Sequence, residues 1–340
     1  MDAQEEVRTL IHRINARLGE AAAADELHAM LTSGDMAEVS RLATLLDRAG
    51  PEQIDISLAA NALHLLGTLR WYRHQLVAEG KQDGNRRDAV DYFVVPYVLG
   101  LDDIPEPLLP DLANRALPNA TAIHQSAVRT GARDQVDQAV LLWRRLAGHL
   151  AAGHPGHAGI NANVGSLLLL RFEGDGSADD LNQAVEALET ALAGAVDVAQ
   201  REGVRPTLVR ALRRRSTDLD RVIDLCADGA AATTAPDETY ARWLSGLADS
   251  LMERYERTRA TADLDRAIDA ARSSLAVDPT PSTSLRYTLA WALAHRFGRT
   301  GSAVDQTEAI DTARTVMDTT TPDDPYREPT RKVLEAMLPS

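Results

Sequence analysis

Apolar residues recur at intervals of three or four positions through most of the chain. Clear runs are Leu181, Val185, Leu188 and Leu192, and farther along Leu244, Leu247 and Leu251. This spacing places the side chains on one face of an α-helix, which can then pack against a neighbour. No stretch shows sustained alternation of apolar and polar residues or the turn signals of a β-hairpin. The pattern therefore predicts an all-α protein.

One pattern recurs at a fixed interval. The chain reads RYERTRATADLDRAIDAARSSLAVDP from Arg254, and RFGRTGSAVDQTEAIDTARTVMDTTTP from Arg296, 42 residues later. A small residue stands six positions before each of these arginines, and the same offset holds before Arg73 and Arg171. These small residues are Gly67, Gly165, Ala248 and Ala290. A second small residue follows in every case, at Ala89, Ala184, Ala267 and Ala309. Each repeat is therefore predicted to contain two helices.

The small residues indicate how the two helices of a repeat pack. Where antiparallel helices cross, Gly or Ala on each lets the backbones approach closely. With Ala139 and Val222 included, second-helix positions 139, 184, 222, 267 and 309 lie 45, 38, 45 and 42 residues apart. The mean period is about 42 residues, and the short interval marks an irregular repeat at 201–232 with a shortened first helix. The prediction is an all-α helical-repeat solenoid of antiparallel helix pairs.

Three regions are expected along the chain. Residues 1–50 form an N-terminal helical cap or a divergent repeat, and residues 51–320 form the repeat array. Residues 321–340 form a single C-terminal capping helix, which a stacked array needs to cover its last apolar face.

Several short motifs resemble those of tetratricopeptide repeat (TPR) proteins. LHLLG at 63–67 is similar to the Leu-Gly of that family's first helix, and AVDYF at 89–93 to the Ala-x-x-x-Phe of its second. Pro279 follows Ala267 at the distance of the family's closing proline. The departure is length, because ordinary repeats have about 34 residues. We expect the extra residues here in the turn between the helices, as in RFEGDGSADDL and RYERTRATADL.

A narrower resemblance is to the repeat arrays of large actinobacterial proteins that often end in a caspase-like CHAT protease domain. NALHLLGTLRWYRHQ and DLDRAIDAARSSLAVDP carry this resemblance. Nothing in these 340 residues resembles the protease domain, and Cys226 is the single cysteine. The resemblance implies an array without its effector.

In TPR arrays the first helices line a concave groove. Carried over by position, the resemblance implies partner-binding side chains at His64, Thr68, Trp71, Ser166, Arg242, Ser245, Asp249, Glu253, Tyr287, Trp291 and His295. Such a mixture of aromatic, arginine and carboxylate groups suits a peptide or a disordered segment. For Trp71 and Trp291, a packing role is an equal alternative.

Charge narrows the classes of partner. The net charge is −14, whereas surfaces that bind nucleic acid or anionic membranes carry excess Lys and Arg. Against this background, REGVRPTLVRALRRR concentrates arginine and offers anion-binding candidates at Arg205, Arg210, Arg213 and Arg214. One interpretation is that these guanidinium groups bind a carboxylate or a phosphate. The alternative is that the segment is a solvated helix face.

The chain shows no signal-peptide pattern and no apolar run long enough to span a membrane. We therefore expect a soluble, cytoplasmic protein.

Other polar clusters favour structural roles. His149, His154 and His157 lack the spacing of a helical metal motif, and Asp102 and Asp103 lie in a proline-rich turn. Cys226 lies on an apolar helix face, which is typical of a buried thiol. No metal or cofactor is therefore expected.

Three functional hypotheses remain open. The first is a non-catalytic scaffold that binds a partner protein or peptide in its groove and regulates a separate effector. The second is a sensor that binds an anionic small molecule or nucleic acid through the Arg-rich repeat. The third is an enzyme whose site the sequence does not reveal.

Overall fold

The computed structural model describes residues 2–33, 37–49, 53–76, 83–150, 153–216, 218–234 and 236–338. Within these ranges the regular elements are all helices, so the all-α prediction is confirmed. None of the helices described is both long enough and apolar enough to cross a membrane. The chain divides into two compact units, Met1–Gly176 (the N-terminal unit) and Ser177–Ser340 (the C-terminal unit).

The N-terminal unit contains eight α-helices in its described residues. They are α1 (Ala3–Ala23), α2 (Leu27–Ser33), α3 (Ala37–Arg48), α4 (Ile56–Leu76), α5 (Asp83–Val98), α6 (Leu109–Thr130), α7 (Arg133–His149) and α8 (His157–Asp175). From α4 onward, each helix packs on the next along the chain within the unit. The even-numbered members are the first helices of the predicted repeats, and the odd-numbered members are the second helices.

The C-terminal unit continues the same order. Its helices are α9 (Ala178–Gly194), α10 (Val198–Arg215), α11 (Leu219–Ala232), α12 (Glu238–Thr258), α13 (Thr261–Val277), α14 (Thr283–Thr300), α15 (Ala303–Thr319) and α16 (Arg327–Met337). Successive helices pack on each other, and first helix α12 also packs on first helix α14. Successive pairs of this kind are the arrangement of a helical-repeat solenoid.

The predicted small residues lie at buried positions. Ala89, Ala139, Ala267 and Ala309 have no exposed surface. A Cβ added at Gly67 would lie 2.9 Å from the ring of Phe93, so α4 and α5 approach closely at this glycine. Gly165 and Ala184 are buried too, each within its own unit, and their pairing stays a prediction.

The extra length of the repeats does not lie in long turns, so that prediction was wrong. Only Arg259 and Ala260 separate α12 from α13, and the helices themselves have 21 and 17 residues. Arg259 adopts a left-handed backbone conformation with φ of 59°, which ends α12 at once. The Thr258 hydroxyl then accepts a hydrogen bond from the Ala260 N–H at 3.2 Å. The additional residues therefore lengthen the helices, so each helix packs against its neighbour over a longer face.

The irregular repeat matches its prediction in part. Its first helix, α10, has 18 residues, as many as α14 and fewer than the 21 of α12 in the next repeat. Its second helix, α11, is also short, with 14 residues against 17 in α13. Ser216 ends α10 in a left-handed conformation, and Asp218 already precedes the first residue of α11. The missing residues therefore come from both helices of the repeat and not from the first helix alone.

The end regions are helical and packed. Helices α1, α2 and α3 join α4 in one apolar core that includes Val7, Ile14, Leu42 and Leu66. Helix α16 packs on α14 and α15, and the Gln306 side-chain amide donates to the Met337 carbonyl at 2.7 Å. The predicted boundaries at residues 50 and 51, and the last two residues of the cap, lie outside the described residues.

In two successive repeats, the arginine that marks the repeat forms an ion-paired clamp. Arg254, near the end of α12, donates to both carboxylate oxygens of Asp263 at 2.6 and 2.9 Å. It also reaches Asp220 of the preceding second helix at 2.5 Å. Arg296 does the same one repeat later. Its partners are Asp305 at 2.7 and 2.9 Å and Asp265 at 3.1 Å. Three helices are thus joined through one guanidinium, which we call the Arg clamp.

Replacing the clamp arginine is expected to destabilise the fold. Asp305 is 4% exposed, and the Arg296 guanidinium lowers its pKa below the ordinary value. Arg296→Met leaves this carboxylate buried without its partner, at a cost of about 3 kcal/mol in the free energy of unfolding. Urea denaturation at pH 7 measures the change.

The matched control for this measurement is Arg314→Met. Arg314 faces Asp311 at 3.9 Å, and both side chains are exposed. Loss of such a surface pair changes stability by less than about 0.5 kcal/mol. Equal losses in the two variants would contradict a structural role for the clamp.

A second prediction concerns the helix crossing at Gly67. The methyl group of Gly67→Ala would press on the Phe93 ring, which costs about 1–3 kcal/mol of stability. Phe93→Leu should offset part of this loss because it removes Cε2, one of the clashing ring atoms, and leaves a smaller side chain that can move away from the methyl group. Gly159→Ala, where the added Cβ meets nothing within 4 Å, should be neutral or slightly stabilising in thermal unfolding.

Candidate binding groove

The first helices of the C-terminal unit lie side by side and share hydrogen bonds. From α10, the Arg213 Nη2 donates to the Gly246 carbonyl at 2.8 Å and to the Ser250 hydroxyl at 2.9 Å, both on α12. From α14, the Thr288 hydroxyl donates to Asp249 Oδ1 at 2.8 Å. Helices α10, α12 and α14 are therefore linked to one another by polar side-chain contacts.

A groove of about 670 Å³ opens between α10, α11 and α12. Its apolar wall comes from Pro206, Val209 and Trp243, and its charged rim includes three arginines. These arginines are Arg210, Arg213 and Arg242. The volume lies in the range of pockets that hold small ligands or one or two peptide side chains.

Trp243 forms the rigid part of this groove. Its indole packs flat against Gly229 of α11, where an added Cβ would lie 2.5 Å from the ring. On the other side, the Arg205 guanidinium carbon lies 6.0 Å from the ring centroid. Trp243 Nε1 and Arg205 Nε are buried and have no hydrogen-bond partner among the described residues. Two buried N–H donors at this side of the groove thus lack an acceptor among the described residues.

The groove is lined by more arginines than acids. Glu202 pairs with Arg205, and Asp237 caps α12 by accepting from the Tyr240 N–H at 3.0 Å. Within the part of the chain that the structure describes, the hydrogen bonds of Arg213 go to neutral oxygens. Arg242 and Glu238 lie 3.0 Å apart. Their side chains are 72% and 79% exposed, so the pair is weakly held. Both guanidinium groups can therefore receive an anionic group from a ligand.

Burial shapes the chemistry beneath the groove. Cys226 is 1% exposed, and burial raises the pKa of its thiol to about 11. The pKa of Asp249 is also raised by burial, which outweighs its bond from Thr288 and the nearby Arg213 charge. The cysteine is therefore a structural thiol, as its apolar sequence setting indicates.

An aromatic strip follows α14 in the same unit. Tyr287 stacks on Trp291, and Trp291 meets the His295 ring at a tilt of 54°, each pair with ring centroids 5.5 Å apart. Tyr326, just before α16, adds a ring 5.6 Å from Tyr287, and Tyr255 of α12 meets His295 at 5.5 Å. Burial, with a smaller effect of nearby Arg259, lowers the pKa of His295. Trp291 is half-buried between two aromatic neighbours, so it packs and offers a surface at once.

The structure brings several of the predicted partner-binding residues together in the C-terminal unit. Arg242 lines the groove, and Asp249 joins α12 to α14 behind it. Glu253 pairs with Arg257 at 2.5 Å, and Ser245 is half-buried on α12. Tyr287, Trp291 and His295 form the aromatic strip on α14. Their role in binding stays a prediction.

The predicted residues of the N-terminal unit make contacts of their own. His64 Nε2 lies 2.5 Å from the Asp103 carbonyl, and its ring meets Phe93 at 5.3 Å. The Thr68 hydroxyl donates to the carbonyl of His64 on the same helix at 2.9 Å. Trp71 packs beside His74 with ring centroids 5.3 Å apart. The Ser166 hydroxyl donates to the Asn163 carbonyl at 3.0 Å. These side chains already serve local packing.

The anion-binding candidates separate into three positions. Arg210 and Arg213 line the groove, and Arg205 is buried beneath it. Arg214 is exposed on α10 and is not part of the groove wall. Sequence reasoning missed Trp243, although a tryptophan directly after Arg242 on a first helix was a usable signal. The part played by Gly229 had no such signal, because it depends on a tertiary contact.

The other polar clusters make no metal site in the part of the chain that the structure describes. His154 Nδ1 accepts from the Gly156 N–H at 3.0 Å, and the His154 and His157 rings lie 6.3 Å apart. Asp102 is exposed and pairs with Arg145 at 3.3 Å.

Comparisons with known proteins add little. No protein-family model matches the chain, and no curated protein matches it. Among solved structures, it is similar to the S. pombe nuclear import adaptor Nro1 at 14% identity and a TM-score of 0.25, covering 98% of this chain and 99% of that one. It is also similar to the apo form of the quorum sensor NprR from B. thuringiensis at 13% identity and a TM-score of 0.28, covering 99% and 98%. At TM-scores of this size the likeness carries no conclusion about function.

The raised pKa of Cys226 gives a direct chemical prediction. At pH 8, a thiol with a pKa of about 11 is ionised roughly a hundredfold less than an ordinary one, and only the thiolate reacts. Iodoacetamide should therefore modify the folded protein at least that much more slowly than the protein unfolded in guanidinium chloride. Mass spectrometry of timed samples measures both rates, and equal rates would contradict the buried position.

Proposed function

We propose that this protein is a non-catalytic, TPR-like binding scaffold that holds an acidic, apolar-containing peptide segment of a partner protein. The segment lies on the first-helix face of the C-terminal unit. An acidic side chain meets Arg213 and Arg242, and a neighbouring apolar side chain lies on Trp243. The aromatic strip on α14 extends the surface for further residues of the segment.

The observation that carries this proposal is the charge contrast at the groove. The chain has a net charge of −14, yet its groove carries Arg213, whose hydrogen-bond acceptors are neutral oxygens, and Arg242, whose ion pair is exposed and weakly held. Guanidinium and carboxylate form strong paired hydrogen bonds, and a tryptophan held rigidly beside them adds apolar contact at low entropic cost. We further propose that the partner protein is an effector, such as a protease, on a separate chain.

A second candidate is a sensor for an anionic small molecule. The buried and unpartnered donors of Arg205 and Trp243 favour it, because a single phosphate or carboxylate oxygen could satisfy them. In that case inorganic pyrophosphate should raise the melting temperature, and Arg210→Ala with Arg213→Ala, which removes two arginines that line the groove, should abolish the rise.

Fluorescence anisotropy tests the scaffold proposal with a labelled peptide made of Asp, Glu and Leu. We expect Arg213→Gln and Arg242→Gln each to weaken binding about tenfold, since each removes one charge-assisted hydrogen-bond donor. A peptide with Asn and Gln in place of the acids should bind far more weakly than the original.

Arg331→Gln is the matched control because it removes the same charge in the same unit. Arg331 belongs to an exposed ion-paired cluster with Glu328 and Glu335 on α16. Its affinity for the peptide should equal that of the wild type. Equal weakening by all three variants would indicate a nonspecific charge effect and contradict a site in the groove.

A further inference from the structure

A second cavity, of about 530 Å³, lies in the N-terminal unit at the second helices. It is bounded by the end of α5, the segment after it, and helices α6 and α7. The volume is in the range of small-molecule sites. None of the predicted partner-binding residues lines it, so its chemistry is separate from the groove.

One side of the cavity is apolar and partly open. Leu142 is buried and Ile123 half-buried, whereas Leu141 is 67% exposed and Leu99 is 43% exposed. Single exposed leucines are common on protein surfaces, but these two line one concave site. An apolar ligand body lying there would remove both side chains from water.

The opposite end is polar and carries one cation. The Arg145 guanidinium lies 4.5 Å above the ring of Tyr97, whose hydroxyl is 2.9 Å from His149 Nδ1. Burial raises the pKa of Tyr97 to about 12, so its phenol is neutral at pH 7. Burial, together with the Arg145 charge, lowers the pKa of His149, which leaves the imidazole neutral. Arg145 is therefore the positive charge at this end.

The hydrogen bonding of Arg145 is incomplete. Its Nη2 donates to the Leu101 carbonyl, while its buried Nε has no partner among the described residues. Its nearest carboxylate, Asp102, lies 3.3 Å from Nη1. The arginine side chain is 15% exposed and that of Asp102 is 95% exposed. A largely desolvated cation thus faces a carboxylate that remains in water and is weakly held.

We propose that this cavity binds a small amphipathic monocarboxylate. The ligand carboxylate takes the place of Asp102 at Arg145, and the apolar body lies along Leu99 and Leu141. Asp102 then acts as an internal competitor that leaves the guanidinium when the ligand arrives.

Isothermal titration calorimetry of the whole chain with octanoate tests this proposal. Octanamide has the same apolar tail without the charge and should bind at least tenfold more weakly, because it lacks the charge-assisted hydrogen bond. Absence of octanoate binding at millimolar concentration, or equal affinity for the amide, would overturn the proposal.

Asp102→Asn is the decisive variant because it removes the competing carboxylate. Octanoate should then bind about two- to fivefold more tightly, which corresponds to the strength of an exposed ion pair. The control is Asp103→Asn, the adjacent exposed acid, which changes the net charge equally. An equal gain in both variants would mean that only general electrostatics had changed, and the proposal would fail.

Leu141→Asp locates the ligand. Leu141 is largely exposed, so this variant should keep the wild-type melting temperature while losing most octanoate binding. Unchanged octanoate affinity in a folded Leu141→Asp protein would place the ligand elsewhere and refute the assignment.

Discussion

In two successive repeats of this protein, a single guanidinium reaches two carboxylates on two other helices. Arg254 joins the end of α12 to the start of α13 and to the preceding second helix α11, and Arg296 joins α14 to α15 and to α13 in the same way. The carboxylate within the repeat is buried, so the ion pair is costly to leave unmade. Because bidentate pairing fixes direction as well as distance, the clamp sets the angle between neighbouring helices. Buried small residues such as Ala267 and Ala309 then let neighbouring helices lie close together.

The groove lies between α10, α11 and α12, of which α11 and α12 are joined by the Arg254 clamp. Arg213 of α10 reaches across to Gly246 and Ser250, and Thr288 of α14 reaches Asp249. The groove thus brings arginine and apolar side chains together on a strongly acidic protein. Under the proposed function, this contrast in charge would favour an acidic ligand at the groove over the rest of the surface.

Much of the fold could be predicted from the sequence because small and apolar residues recur at the spacing that paired helices require. Gly67, Ala267 and Ala309 reveal the crossings, since only small residues permit close approach. The turns were misjudged because Arg259 takes a left-handed conformation and ends α12 directly, so most of the residues that were assigned to a long turn are helical. The site was predicted only in part, because the setting of Trp243 is fixed by Gly229 on another helix. The cavity at Arg145 depends on residues from three helices and a loop, and no spacing in the sequence connects them.

The Arg clamp also bears on how such a chain can change in length during evolution. Arg254 and Arg296 each take one carboxylate from their own repeat and one from the repeat before it, at equivalent positions. Duplication or loss of the whole repeat that contains either arginine would therefore keep both kinds of ion pair at the new junction. A genetic exchange that cuts between Arg296 and Asp305 would leave a buried aspartate without its arginine. In this part of the array, whole repeats are thus the units that can be added or removed with the ion pairs intact.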